Sequence, residues 1–400
     1  MRIRVEYWLL VSFLLGILVA YAVPIKVGLF SAVTDSFVAA FMFLAPAIVF
    51  VIVFDSTCSL LLEREITGRV IRASVILFAL LVLGCSLFAS IVLLAVSPSS
   101  VASAWLSNET FSYVGQVILT SLLRPVTLAL LLGVIIALAL SHTSFFKRAV
   151  DLSKRTYGLQ ERAFRLLLRI FPIITMSLGA GLYYALGTVS IEVYVTSMGL
   201  TLLLGLAALA ILFAIVQKVA RPEIKELAGY SMRIFATGLS IGSSYIILPL
   251  ALRAFKEHFA VDNAVGDLVL TLGASLNRCG SVMGVLVVTS MAARYTGLEA
   301  SWQQMLLLAI PVALIGFGSP GIQGGTLLVA MPVILHVVNP LDPAKFVTVA
   351  LALFVGGTTF IQAAVNTVSS GYVALLVDRQ VSRLERGDNQ ARPRLRSSRL

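Results

Sequence analysis

Gly316-Phe-Gly-Ser-Pro-Gly-Ile-Gln-Gly-Gly-Thr326 lies at the centre of an apolar run, Met305 to Val338, that is 34 residues long. A helix crossing a hydrocarbon layer about 30 Å thick needs roughly 20 residues, so this run is too long for one comfortable span. Its centre also resists helix formation, because glycine and proline cost about 1 and about 3 kcal/mol relative to alanine in a helix interior. The run is therefore expected to break there. Irregular backbone at membrane depth persists only where protein or a water-filled cavity satisfies its N–H and C=O groups. The segment reads as two short arms meeting at a buried tip, a hairpin entering the membrane from one side.

The same punctuation occurs earlier. Phe235 to Leu252 contains Thr237-Gly-Leu-Ser-Ile-Gly-Ser-Ser244 and then Pro249. A span studded with small and polar residues follows each broken segment. Leu268 to Ala293 carries Asn277-Arg-Cys-Gly-Ser281, and Phe346 to Leu376 carries Gly356-Gly-Thr-Thr359 and the stretch Gln362 to Ser370. A hairpin followed by a helix thus occurs twice, and paired interrupted segments point to a transporter binding site built from an inverted repeat.

The rest of the 400-residue chain agrees. At 59% hydrophobic and 12% charged, with a mean hydropathy of +0.98, it is far from the composition of a soluble domain. Uncharged runs place six spans upstream: Tyr7 to Ile25, Ser36 to Phe54, Ala73 to Val96, Phe111 to Leu140, Ile170 to Val189 and Val193 to Gln217. The basic start Met1-Arg-Ile-Arg imitates a signal peptide, but no small-residue cleavage site leads into a soluble domain, so Tyr7 to Ile25 is read as the first span. The fold class expected is an all-α polytopic membrane protein with eight transmembrane helices plus two re-entrant helical hairpins arranged as inverted repeats. Residues 1–230 hold the six N-terminal spans, 231–378 the core, and 379–400 a basic tail expected to be disordered.

The net charge of +11 would suggest nucleic acid in a soluble chain. Here its distribution explains it. With Met1 cytoplasmic, all but five of the 30 lysines and arginines fall on the cytoplasmic side; Lys26, Arg294 and Lys345 lie outside, and Arg124 and Arg278 at membrane depth. The partner is the bilayer, with no nucleic acid, both termini cytoplasmic and a multi-pass location in the cell inner membrane. Cys58, Cys85 and Cys279 form neither a disulfide framework nor a zinc pattern, and no cofactor is expected. His142, His258 and His336 are widely separated and no loop is long enough for a sensing domain, which argues against an enzyme or receptor.

Over about residues 231–378 the chain resembles the dicarboxylate/amino acid:cation symporter family, the glutamate transporters and their archaeal homologues. Ser243-Ser-Tyr-Ile-Ile-Leu-Pro249 is similar to that family's serine-rich first hairpin tip, and Leu272 to Ser281 to the stretch ending in its Asn-Met-Asp-Gly-Thr motif. Gly321-Ile-Gln-Gly-Gly-Thr326 is similar to the second tip, and Asn366 stands where the last helix carries a binding asparagine. The resemblance implies a homotrimer in which spans one, two, four and five form a scaffold. Spans three and six join the hairpins and last two helices in a transport domain that moves as a rigid body. It also places a solute between the hairpin tips and makes the second hairpin the extracellular gate.

The chain departs from that pattern in its charges. The two carboxylates that serve sodium in the family correspond to Cys279 and Ser370, the substrate-reading arginine to Gln362, and an aspartate to Thr359. No acidic residue other than Glu299 and Asp342 occurs between Asp267 and Asp378. Any weak cation site would rest on Asn277, Asn366 and Ser370, and whether sodium or a proton couples is left open. The candidate substrate-binding set is Arg278, Asn277, Ser281, Asn366, Gln362 and Thr359, with Ser243 and Ser244 of the first tip and Gly321 and Gly324 of the second.

Arg278 replaces the family's methionine. A charge at bilayer depth is costly unless it faces a cavity and a partner. Three roles are open to it: binding an anionic solute through its planar fork, standing as a tethered cation where sodium would bind, or bonding backbone carbonyls at the break or a distant acid such as Asp55. Elsewhere, Arg124 is expected to snorkel, Asp55 and Asp267 to be solvated at cytoplasmic ends, and Cys279 and His336 to be packed. The function expected is a secondary transporter of a small polar, anionic solute, a dicarboxylate, amino acid or related compound, working by alternating access with altered or absent sodium coupling. The alternative is an anion channel or uncoupled anion pathway on the same fold.

Overall fold

The computed structural model describes residues 5–22, 67–96, 125–141, 143–152, 154–156, 189–261, 263–298, 302–319 and 325–391, together with scattered positions between 43 and 61 and between 172 and 180. Within these residues every regular element is helical: α1 (Val5–Ala22), α2 (Thr67–Val96), α3 (Pro125–Ser141), α4 (Ile191–Val219), α5 (Ile224–Ile241), α6 (Ser244–His258), α7 (Asn263–Leu276), α8 (Cys279–Tyr295), α9 (Trp302–Gly318), α10 (Gly325–Val338), α11 (Pro343–Leu353), a π-helical turn (Phe354–Thr358) and α12 (Thr359–Ala391). Among the described residues four stretches are long and apolar enough to cross a membrane: Gly68–Leu93, Ile191–Val219, Asn263–Tyr295 and Thr359–Ser382.

Burial separates these four. The most apolar 18-residue windows of Asn263–Tyr295 and Thr359–Ser382 are 94% buried, against 33% for Gly68–Leu93 and 28% for Ile191–Val219. The polar-studded spans are therefore the centre of the molecule, and the uniformly apolar ones flank it. Leucine and valine face lipid without cost, whereas the serines, threonines and asparagines of α8 and α12 need protein partners. Helix α12 packs on α5, α7, α4 and α8, while α2 packs on α9 and α8. Two serines of α2 make part of that join: Ser86 Oγ donates to the Ala309 carbonyl at 2.7 Å and Ser90 Oγ to the Met305 carbonyl at 3.0 Å, both in α9.

Both broken segments turn back on themselves. Helices α5 and α6 pack together across the two-residue connector Gly242-Ser243. Gly242 takes φ 68°, a left-handed conformation that closes α5 while its N–H reaches the Gly238 carbonyl, and glycine adopts it without a Cβ penalty. Pro249 removes the N–H that would have reached the Tyr245 carbonyl in the first turn of α6. Helices α9 and α10 likewise pack together, with Ser319 and Thr326 hydroxyls 2.8 Å apart at the tip end and Gln304 Nε2 donating to the Val337 carbonyl at 2.9 Å at the other. The intervening tip, with Gly321 and Gly324, falls outside the described residues, as do Lys26, Arg124 and most of the predicted second and fifth spans.

Two expectations change. Asp267 is not solvated: it is 6% exposed and paired with Lys256 at 2.7 Å, because α6 and α7 meet at that end and bring the two side chains together. Beside it Glu257 pairs with Arg233 and, at 2.7 Å, with Arg253. Burial opposes ionisation of Glu257, but hydrogen bonds from Arg233 and Arg253 outweigh it and hold the carboxyl below its ordinary value. The chain beyond Arg379 also stays helical as far as Ala391, since no proline interrupts it before Pro393.

Candidate functional site

The site forms where the two buried spans lose regular α-helix. Asn277 and Arg278 separate α7 from α8, with Arg278 at φ −120° and ψ 25°, outside helical geometry. A break of this kind exposes the last carbonyls of one half-helix and the first N–H groups of the next. Across from it, Phe354–Thr358 widens into a π turn before α12 resumes, an irregularity that frequently accompanies functional sites.

Asparagine side chains tie the first break to α12. Asn277 Nδ2 donates to the Asn366 carbonyl at 2.8 Å, Ser369 Oγ at 2.8 Å and Ser370 Oγ at 3.0 Å, while Asn277 Oδ1 accepts from the Cys279 N–H at 3.3 Å. Asn366 returns the connection: its Oδ1 accepts from the Gly280 N–H at 2.7 Å, and its Nδ2 donates to Ser281 Oγ at 2.9 Å. Two first-turn N–H groups of α8 thus find side-chain acceptors. Asn277 is 0% and Asn366 2% exposed, so this network works at low dielectric, where a missing partner is expensive.

Arg278 is 2% exposed. Its Nη2 donates to the Ala274 carbonyl at 2.9 Å, in the last turn of α7, and its guanidinium carbon lies 5.7 Å from the centre of the Tyr245 ring. Nε has no hydrogen-bond partner among the described residues. Tyr245 belongs to the first turn after the tip Ser243-Ser244, and its hydroxyl donates to Ser275 Oγ at 3.3 Å. On the other side, a methyl group added at Gly316 of α9 would come within 3.5 Å of the Arg278 Cβ. Arg278 therefore has its Cβ towards α9 and its guanidinium beside Tyr245 of α6. Of the roles read from sequence, the carbonyl contact at the break is present, and Nε is left over.

The remaining candidates divide. Ser243 and Ser244 are buried beside this cluster at the start of α6. Gln362 and Thr359 are buried on the π-turn side: Gln362 Nε2 donates to Thr358 Oγ1 at 2.9 Å, and Thr359 Oγ1 to the Phe354 carbonyl at 2.9 Å. Gln362 lies directly against Gly284 of α8, where a side chain on residue 284 would overlap the amide. Cys279 Sγ is 3.1 Å from Ser369 Oγ, a packed contact. Sequence reasoning overlooked Ser369, Thr358, Tyr245 and Gly284. Ser369 was findable, since i+3 from Asn366 puts it on the same helix face; the contact between Tyr245 and Arg278 joins separate segments and leaves no local signal. A cavity of about 410 Å³ opens elsewhere, among Leu206, Leu209, Phe213, Met232, Phe235 and Tyr372, and none of the predicted site residues lines it.

Residues 6–380 match the model of the Sodium:dicarboxylate symporter family. The Serine/threonine transporter SstT of Acinetobacter baylyi is 22% identical over 351 residues, 82% of this chain and 85% of that protein. Excitatory amino acid transporter 3 of Mus musculus is 32% identical over 118 residues, 29% of this chain and 22% of that protein. Its counterpart from Homo sapiens is 30% identical over 156 residues, 38% of this chain and 29% of that protein.

Proposed function

We propose, from the chain's membership of the sodium:dicarboxylate symporter family, that it is a secondary transporter moving a small polar, anionic solute by elevator-type alternating access. The family is one of transporters, and the chain is not an enzyme. The observation that carries the anionic reading is the buried Arg278 guanidinium, beside Tyr245 of the first hairpin with Nε unpartnered among the described residues. A carboxylate or oxyanion entering there supplies the counter-charge and takes hydrogen bonds from the planar fork. Asn277, Ser281 and Asn366 shape the neutral floor of the site, Gln362 and Thr359 its far wall, and Ser243 and Ser244 its first tip.

The architecture that goes with this function has eight spans and two re-entrant hairpins. The hairpin-like packing of α5 on α6 and of α9 on α10 supports it, as does the burial of α7, α8 and α12. The packing of α2 and α4 on that centre supports a transport domain that includes the third and sixth spans. A homotrimer in the cell inner membrane with both termini cytoplasmic completes the proposal, the orientation resting on the basic residues.

Uptake into proteoliposomes of a panel of dicarboxylates, amino acids and inorganic anions tests the reading. Saturable uptake of at least one anionic solute, exchangeable with unlabelled solute inside, is expected. Ionic conductance without saturable, exchangeable flux would replace it with the anion-channel alternative.

A further inference from the structure

In transporters built from broken helices, unwound carbonyls and the C-terminal ends of half-helices are where a coupling cation is held, because those groups carry uncompensated negative partial charge. The break between α7 and α8 is such a place. Its oxygens are already engaged by donors of this chain. The Ala274 carbonyl, in the last turn of α7, accepts from Arg278 Nη2 at 2.9 Å. The Asn366 carbonyl, Ser369 Oγ and Ser370 Oγ converge on a single nitrogen, Asn277 Nδ2, at 2.8, 2.8 and 3.0 Å.

The donor set does not fit sodium. A hard cation is held best by carboxylate and other oxygen ligands, and the positions where carboxylates would stand are Cys279, whose soft sulfur is a poor partner, and Ser370, whose hydroxyl is neutral. Arg278, bonded to the turn that would face the ion, adds a fixed positive charge inside a buried core where repulsion is weakly screened. A cation entering this cluster would have to displace an amide that bridges three oxygens and then sit beside a guanidinium.

We infer that this transporter runs without sodium, the Asn277 amide and the Arg278 guanidinium supplying as part of the chain the positive ends that a coupling ion would bring to the broken seventh span. Each turnover then moves solute with no sodium ion accompanying it. The inference rests on the transporter reading above, and the two fail in different experiments.

Thermal unfolding of the purified full chain, titrated with sodium chloride and with choline chloride at matched ionic strength, needs no known solute. Coinciding midpoints at every concentration are expected; a saturable rise specific to sodium, the signature of a ligand that binds the folded state, overturns the inference. The Ser370→Asp variant, in an Arg278→Met background, returns a carboxylate to the cluster and removes the fixed charge, and is expected to acquire that sodium-specific rise. Failure of a folded variant to acquire it also counts against the inference, and if the variant does not fold the wild-type titration decides alone. Proteoliposome uptake of labelled succinate, aspartate and serine then compares sodium with choline outside. Rates within about twofold are expected, and a larger, saturable stimulation by sodium overturns the inference while leaving the transporter reading intact. Absence of uptake for every solute tested in proteoliposomes counts against the transporter reading instead, with the unfolding titration still deciding the ion question.

Discussion

At the scale of single residues the site is a neutral hydrogen-bond network with one permanent charge set into it, and the charge carries the strongest prediction. Hydrogen bonds to a charged group are worth about 1.5–3 kcal/mol, so removing the fork with Arg278→Met is expected to raise KM for an anionic solute roughly ten- to a hundredfold. Arg278→Lys should restore little of this, because a compact ammonium loses both the fork and its stacking on Tyr245. Uptake kinetics of the three proteins check it; an unchanged KM in the methionine variant would assign Arg278 a purely structural role at the Ala274 carbonyl. Asn277, Ser281 and Asn366 were legible in the sequence, since asparagine and serine inside an otherwise apolar span demand partners. Their pairing was not legible: Asn277 and Asn366 are 89 positions apart, and nothing local states that the amide of one spans the carbonyl and neighbouring hydroxyls of the other. Asp267 was misjudged for a related reason, as position near a span's end says nothing about which neighbour covers it.

At the scale of elements, glycine punctuation marked where the helices break, and packing then decided what each break does. Gly284 shows the difference. In sequence it is one more small residue in a membrane span; in the structure it is the recess that takes the Gln362 amide, which in turn bonds Thr358 in the π turn. Gly284→Ala is expected to push Gln362 off Thr358, reduce uptake and lower thermal stability by about 1–3 kcal/mol through overpacking. Combined with Gln362→Ala, which vacates the space, the loss should be less than additive, with a coupling of about 0.5–3 kcal/mol in a double-mutant cycle; strict additivity would mean the two do not share that space. The base of the first hairpin makes a pH prediction. Glu257 is half-exposed and its carboxyl is held below the ordinary 4.5 by Arg233 and Arg253 against the opposing effect of burial. A depressed carboxylate contributes stability that is present above its unfolded pKa and lost as pH falls through the folded one. The wild type should therefore lose thermal stability below about pH 4.5 more steeply than Glu257→Gln, which has nothing there to protonate; parallel profiles for the two proteins would remove the ion pairs from the account.

At the scale of the whole molecule, the proposed elevator requires the buried centre to change sides as a unit while the peripheral helices stay with the lipid. The burial contrast between the polar-studded spans and α2 and α4 marks the centre, and α2 and α4, which pack on it, are proposed to travel with it. Membrane character and the small-residue core were legible in composition. Which apolar helices would pack on the centre was not, because an apolar residue against lipid and one against a neighbouring helix look alike in sequence. The chain's three cysteines, Cys58, Cys85 and Cys279, are all buried, so a single introduced thiol can be followed against a low background. Ser243→Cys places that thiol at the first hairpin tip, buried beside Tyr245 in the state described. An elevator that brings this tip to the cytoplasmic face should expose the thiol to a membrane-impermeant maleimide in inside-out vesicles, more slowly in right-side-out vesicles, and at a rate that changes when a transported solute is added. A gated channel with a static centre predicts that solute slows labelling alike in both vesicle orientations, by shielding the thiol, since occupancy there does not move the hairpin. An elevator instead shifts the balance between the two orientations. The comparison therefore separates the two mechanisms without any measurement of current, and because it follows one residue of the tip it also tests whether the first hairpin travels with the broken seventh span it packs against.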